Sequence, residues 1–312
     1  MGDVVLQIQR MHYPKLNFIF LGMPVTFSIC VLEGLLRAGI RPSAIWMPDS
    51  SAGRSIQKLQ PELSQSELPL LRPFLQEGIA QLAWEEKIPV YAVRDLSSPD
   101  AIALLESLHV SVGIVACFPM RLPQEILAIP RFSFLNLHPS LLPAYRGPFP
   151  LFWTFRDGVQ ESGITMHQID RGLDTGDIVL QSKLIIPDGL NSKEADELFA
   201  AEGATLIQAA LASLENGDLA SQAQGTGASY FGRPSAQDFT IPTTWTAQRA
   251  FNFMRGTAEW QMPYRITGDG FDIPARSAIA YDGQGKMDMP YSTQGSESWI
   301  KFERGILYVS SC

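Results

Sequence analysis

Two short, almost wholly apolar runs, residues 16–21 (LNFIFL) and 110–116 (VSVGIVA), constrain the fold more than anything else in this sequence. A strand with one face in water alternates polar and apolar residues, whereas these runs read as strands covered on both faces, the mark of a parallel sheet. The text between them changes period. Residues 26–38 place Ile29, Leu32, Leu35 and Leu36 at helical spacing and run into Gly39, a C-cap residue. Strands are expected at 43–47, 89–93 and 132–138, and helices at 79–86, 98–108 and 122–128. Residues 48–73 are polar and loop-like. Strand–helix alternation of this kind predicts an α/β fold with a doubly wound, mainly parallel sheet.

The rest of the chain is organised differently. Strands are expected at 163–169 and 178–186, followed by a long Ala-rich helix at 192–216. A stretch rich in Gly, Ser, Ala and Gln then reads as a linker. A helix at 246–255 leads into short β-like runs punctuated by DG, GQG and QGS turns. The expected organisation is a catalytic domain at 1–205, a linker at 206–240 and a small, OB-like, incompletely closed β-domain at 241–312.

Composition narrows the function. With 46% hydrophobic and 18% charged residues the chain can bury a large core, and a net charge of −8 gives no global field for nucleic acid or anionic membrane. Three widely spaced cysteines form no disulfide framework or zinc-ligand spacing, and residues 1–10 lack the layout of a signal peptide. Leu6 stands where a myristoylation signal would carry Ser or Thr. A cytoplasmic protein, monomeric and without a membrane span, is expected. The turn after the first strand, FLGMPVTF, has one glycine and no dinucleotide fingerprint, and neither a phosphate-binding loop nor a GxSxG elbow occurs.

The chemistry lies in FLNLHPSLLPAYRG (134–147) and GLDTGDIVLQ (172–181). On a strand, Asn136 and His138 project from one face while Leu135 and Leu137 fill the other. Pro139 ends the strand, and ligands of open α/β sheets gather at the carboxyl ends of strands. An amide and a protonated imidazole are both donors able to stabilise an oxyanion in acyl transfer. A nearby carboxylate would raise the imidazole pKa and help move a proton from an attacking amine. Asp174 is the candidate, with Asp177 and Asp170 as competitors. Arg146 is suited to an anionic part of a substrate or to a neighbouring carboxylate. His167 with His138 and Asp174 has the residue types of a metal site, but a structural role for His167 on its strand is the plainer reading, and no metal is expected.

These blocks resemble the folate-dependent formyltransferase family, most of all its methionyl-tRNA formyltransferases. Asn136, His138, Ser140, Leu141, Leu142 and Pro143 match its Asn-x-His signature, and Asp174 matches its Leu-Asp-x-Gly turn. The likeness spans about residues 16–190. It implies transfer of a formyl group from 10-formyltetrahydrofolate to a primary amine. Asn136 and His138 would hold the oxyanion, and Asp174 would tune His138 and relay the proton. By the same mapping the donor would lie along Phe118, Met120, Leu122, Ser140, Leu141, Leu142, Pro143, Asp170 and Leu173. The segment PDSSAGRSIQKL (48–59), including Ala52, is similar to the basic loop with which methionyl-tRNA formyltransferases engage their acceptor, so Arg54 and Lys58 become acceptor residues. Initiator tRNA is therefore the expected partner, with an amino-sugar nucleotide as the alternative and a non-catalytic folate-binding homologue behind it. Glu62 and Glu67 dilute the loop's charge, and residues 233–312 carry eight basic and eight acidic side chains, which offers phosphates no net positive face.

Overall fold

The computed structural model describes residues 16–49, 53–61 and 78–311; Leu6, Ala52, Glu62 and Glu67 of the sequence reading, and the last of the three cysteines, Cys312, lie outside the described residues. Eight strands form the larger sheet: β1 (Phe18–Gly22), β2 (Ala44–Pro48), β3 (Ile56–Leu59), β4 (Val90–Val93), β5 (Val112–Ala116), β6 (Phe134–His138), β7 (Glu161–Gln168) and β8 (Ile178–Ile185). Their order is β3-β4-β2-β1-β5-β6-β7-β8. The five from β4 to β6 are mutually parallel; β3 on one edge and β7 on the other run against them, and β8 pairs antiparallel with β7 and so regains the direction of the five.

Burial follows the sequence pattern. In β1, Phe18 and Phe20 enter one apolar cluster and Ile19 and Leu21 the other, so both faces of the sheet are covered. Helices α1 (Thr26–Arg37), α2 (Ile79–Glu85), α5 (Pro150–Asp157) and α6 (Ser192–Asn216) pack into the first cluster; α3 (Pro99–Ser107) and α4 (Gln124–Leu127) pack into the second. Helix α6 starts at a capping box, Asn191 accepting from the Glu194 N–H and Glu194 accepting from the Asn191 N–H, and stops at Gly217 with φ +76°.

Four expectations need correction. Residues 48–73 are not loop throughout, because β3 lies within them; its half-exposed edge carries no apolar run to announce it. Helix α5 has no counterpart in the sequence reading, although Pro150 at its start and Gly158 in the left-handed region at its end are orthodox signals. Helix α6 runs through position 205, where the expected catalytic unit ends. The expected linker is partly structured and docked, pairing through Gln222 with Ile178 and through Tyr230 with Arg146.

The last part of the chain contains α7 (Ala247–Gly256) and a six-stranded sheet of β9 (Thr240–Pro242), β10 (Tyr264–Gly268), β11 (Phe271–Asp282), β12 (Tyr291–Gln294), β13 (Glu297–Lys301) and β14 (Ile306–Ser311). Its order, β12-β13-β14-β11-β10-β9, is an open row whose end strands do not pair with each other. No described helix is long and apolar enough to cross a membrane.

Candidate active site

Strand β6 delivers Asn136 and His138 on the face opposite Leu135 and Leu137, and β7 then adds His167, to which the sequence reading gave only a structural role on its strand. Asn136 stands directly across the ladder from His167, so the two share a face. The buried imidazole of His167 donates from Nδ1 to the Gln168 carbonyl at 2.8 Å. Its Nε2 is thereby left as an acceptor, 3.1 Å from Nδ2 of Asn136. An amide nitrogen has two N–H groups, and this bond occupies one. A bulge in the β7–β8 pairing between Met166 and His167 accompanies this placement, which the sequence does not display.

The Asp174 turn closes the set. Oδ1 of Asp174 lies 3.8 Å from Nδ1 of His138 and 3.7 Å from Nε2 of His167. Its Oδ2 accepts from the Gly147 N–H at 2.8 Å. Asp174 has φ +54°, a left-handed conformation that costs a non-glycine residue energy and needs support from its surroundings. Gly147 has φ +117°, and a Cβ there would come 2.0 Å from the Phe231 carbonyl oxygen, so only glycine brings this N–H to the carboxylate.

Electrostatics reverse one expectation. Burial pushes the His138 pKa below the ordinary histidine value, outweighing the upward pull of Asp174 and of the Tyr145 carbonyl. His138 is therefore neutral near pH 7 rather than a standing cation. Its Nε2 faces the Tyr145 carbonyl at 2.8 Å and must carry the proton, since a carbonyl only accepts. Nδ1, on the Asp174 side, keeps its lone pair. Burial also works to raise the Asp174 pKa, but the two imidazoles, when they carry a second proton, and the Gly147 N–H together hold it below the usual carboxylate range. The structure thus brings Asn136, His138, His167 and Asp174 together, an ionised carboxylate facing a proton-accepting ring nitrogen.

The other candidate residues fall into three groups. Ser140 is fully buried and donates to the Ala144 carbonyl, Leu142 is buried, and Leu141 packs over Gly163, so with Pro143 they build the loop that ends β6. Gln181 donates to the Leu142 carbonyl and braces the same loop. The segment carrying Phe118, Met120 and Leu122 is tied to the loop of Asp170 and Leu173 through the Arg121 guanidinium, which donates to the Arg171 carbonyl. Within that pair of loops Leu122 is buried in the core, Phe118 and Met120 are partly exposed, and Leu173 stands 53% exposed. Asp170 holds its own loop, accepting from the Gly172 N–H and the Thr175 hydroxyl.

Arg146 is engaged within the protein, Nε and Nη2 both donating to Oε1 of Gln224, at 3.1 and 2.6 Å. Arg54 and Lys58 are exposed and remote from this centre; Arg54 precedes β3 beside Arg94 and Asp100, and Lys58 lies within the strand. Among the described residues no group of three or more His, Cys, Asp and Glu side chains could hold a metal ion.

A family profile described as formyl transferase matches residues 64–211. A methionyl-tRNA formyltransferase of Acidobacterium capsulatum is 33% identical over 258 residues, covering 81% of this chain and 77% of that protein. A protein of the same name from Thermodesulfovibrio yellowstonii is 31% identical over 254 residues, with the same two coverages, 81% and 77%. Among solved structures, an N-formyltransferase of Helicobacter canadensis in complex with folinic acid and dTDP-3-aminofucose shares the fold with a TM-score of 0.62 at 17% identity, covering 95% of this chain and 99% of that one.

Proposed function

This chain belongs to the formyl transferase family, and from that membership we propose that it moves a formyl group from 10-formyltetrahydrofolate to the amino group of methionyl initiator tRNA. The observation that carries the chemistry is the convergence of Asn136, His138 and Asp174 at the carboxyl end of β6. The free N–H of Asn136 suits the oxyanion that forms when the amine adds to the formyl carbon. The lone pair on Nδ1 of His138 takes the proton the amine must lose, and Asp174 steadies the imidazolium so formed. As the tetrahedral carbon collapses, its bond to N10 of the donor breaks and N10 departs with a proton. The exchange leaves one formamide and one tetrahydrofolate. The linked loops of Met120 and Leu173 are the wall along which the donor is proposed to lie.

The acceptor is argued from distance. Five strand spacings of roughly 4.8 Å separate β6 from β3, about 24 Å in all. Because β3 is antiparallel and Ile56 pairs with Val93, Arg54 sits at the same carboxyl edge as His138. A residue so placed cannot touch the reacting amine, but it can grip a long acceptor whose amine reaches the centre. The relatives named methionyl-tRNA formyltransferase point the same way. The charge balance of residues 233–312 favours the alternative, an amino-sugar nucleotide. An assay offering charged initiator tRNA beside amino-sugar nucleotides, with 10-formyltetrahydrofolate as donor, decides between them. Formylation of tRNA is expected, and formylation of the sugar alone overturns the choice of acceptor.

A further inference from the structure

Between α6 and β9 the chain crosses the catalytic edge as a strap fastened at both ends. At one end Ile178 and Gln222 exchange backbone hydrogen bonds of 2.8 and 2.9 Å. At the other, Arg146 donates to the Ser229 carbonyl, Phe231 donates to the Arg146 carbonyl, and the Ser229 hydroxyl accepts from the Tyr145 N–H. Residues 221–223 and 225–228 are exposed, and Gln224 alone among them is turned inward. Its amide is fully employed. Nε2 donates to the carbonyls of Asp174 at 2.9 Å and Gly176 at 2.8 Å, while Oε1 accepts both bonds from Arg146.

Those partners belong to the two loops on which the site depends. Arg146 lies between Tyr145, whose carbonyl accepts the hydrogen bond from Nε2 of His138, and Gly147, whose N–H holds the Asp174 carboxylate. Asp174 and Gly176 are the turn that presents that carboxylate in a left-handed conformation. We infer that Gln224 is a positioning residue whose amide clamps the Asp174 turn to the Tyr145–Gly147 loop, fixing the carboxylate against the two imidazoles. Holding the carbonyl of the strained Asp174 together with that of Gly176, two residues on, leaves the turn little freedom, and misplacement by about 1 Å at a reacting centre costs on the order of 10²-fold in rate. The inference rests on the proposed catalytic roles of His138 and Asp174.

Gln224→Met tests it, because Met keeps the length and bulk of the side chain and removes only its polar atoms. Formylation kcat is expected to fall by roughly 10- to 100-fold with donor KM within about threefold of wild type. In an Asp174→Asn background the same change should add less than about twofold, since both then act through one carboxylate. Gln224→Glu still accepts from Arg146 but cannot donate to the two carbonyls, so it should be as impaired as the Met variant. Wild-type activity in Gln224→Glu would overturn the clamp on the turn. Hydrogen exchange at the Gly147 amide gives a reading that needs no substrate. About tenfold faster exchange in Gln224→Met supports the clamp, and unchanged protection defeats it. Should Asp174→Asn prove as active as wild type, the catalytic assignment falls, and the exchange rate of Gly147 still decides the clamp.

Discussion

His138 carries the most direct prediction. Its folded pKa lies below the ordinary value near 6.5, so between those two values the unfolded chain binds a proton that the native protein refuses. Native stability should therefore be complete above about pH 6.5 and decline as pH falls towards the folded pKa. Calorimetric melts should show Tm falling faster with acid in wild type than in His138→Gln, and parallel slopes would count against the assignment. The acid limb of kcat/KM should likewise sit below the ordinary histidine range, because neutral His138 is the form that accepts the proton. Asp174→Asn should lower kcat by about 10²-fold or more, and Asp177→Asn should have far less effect. The reverse ranking in steady-state assays would reassign the role. Asn136, His138 and Asp174 were legible because motif and periodicity set their faces. His167 was not, because only the register across β6 and β7 reveals that it stands opposite Asn136. The neutral state of His138 was equally hidden, since burial is a property of the assembled loops and not of the local text.

Among the elements, the strands of the parallel sheet were legible for a plain reason: covered on both faces, they are written as apolar runs. Strand β3 and the strap were not, since each owes its conformation to a neighbour. The pairing of β3 with β4 and the bonds from Gln224 and Ser229 depend on partners distant in sequence. Helix α5 was obscured by its composition, with two Phe and one Trp that serve packing more than helix propensity. That helix meets α7 at Gly256, where a Cβ would lie 2.5–2.6 Å from atoms of the Phe155 ring. Phe155 is itself buried and has no room to retreat. Gly256→Val should therefore destabilise the protein by about 1–3 kcal/mol, as overpacking does, measured by denaturant melts. Wild-type stability in that variant would show that the α5–α7 contact yields easily.

The salt dependence of acceptor binding belongs to the whole molecule. With a net charge of −8, any phosphate contact must come from local cations such as Arg54 and Lys58. Tightness of tRNA binding should fall steeply with salt, and replacing both residues with alanine should reduce the log–log slope by about 2 while leaving donor KM unchanged. An unaltered slope would remove them from the acceptor site. The open row of the second sheet could not be foreseen, because turn-punctuated short strands describe an open sheet and an incomplete barrel alike. What joins the two sheets is a single apolar cluster: Phe20, Leu135 and Phe199 belong to it together with Phe239, Phe253, Tyr264 and Leu307. A protein with one core melts as one body, so calorimetry should record a single transition. The second sheet is therefore not a detachable cassette. Cutting the chain after residue 216 would uncover the apolar side of α5 and strip the catalytic turn of its brace together, and exchange of this part between relatives should succeed only when its α5-facing surface travels with it.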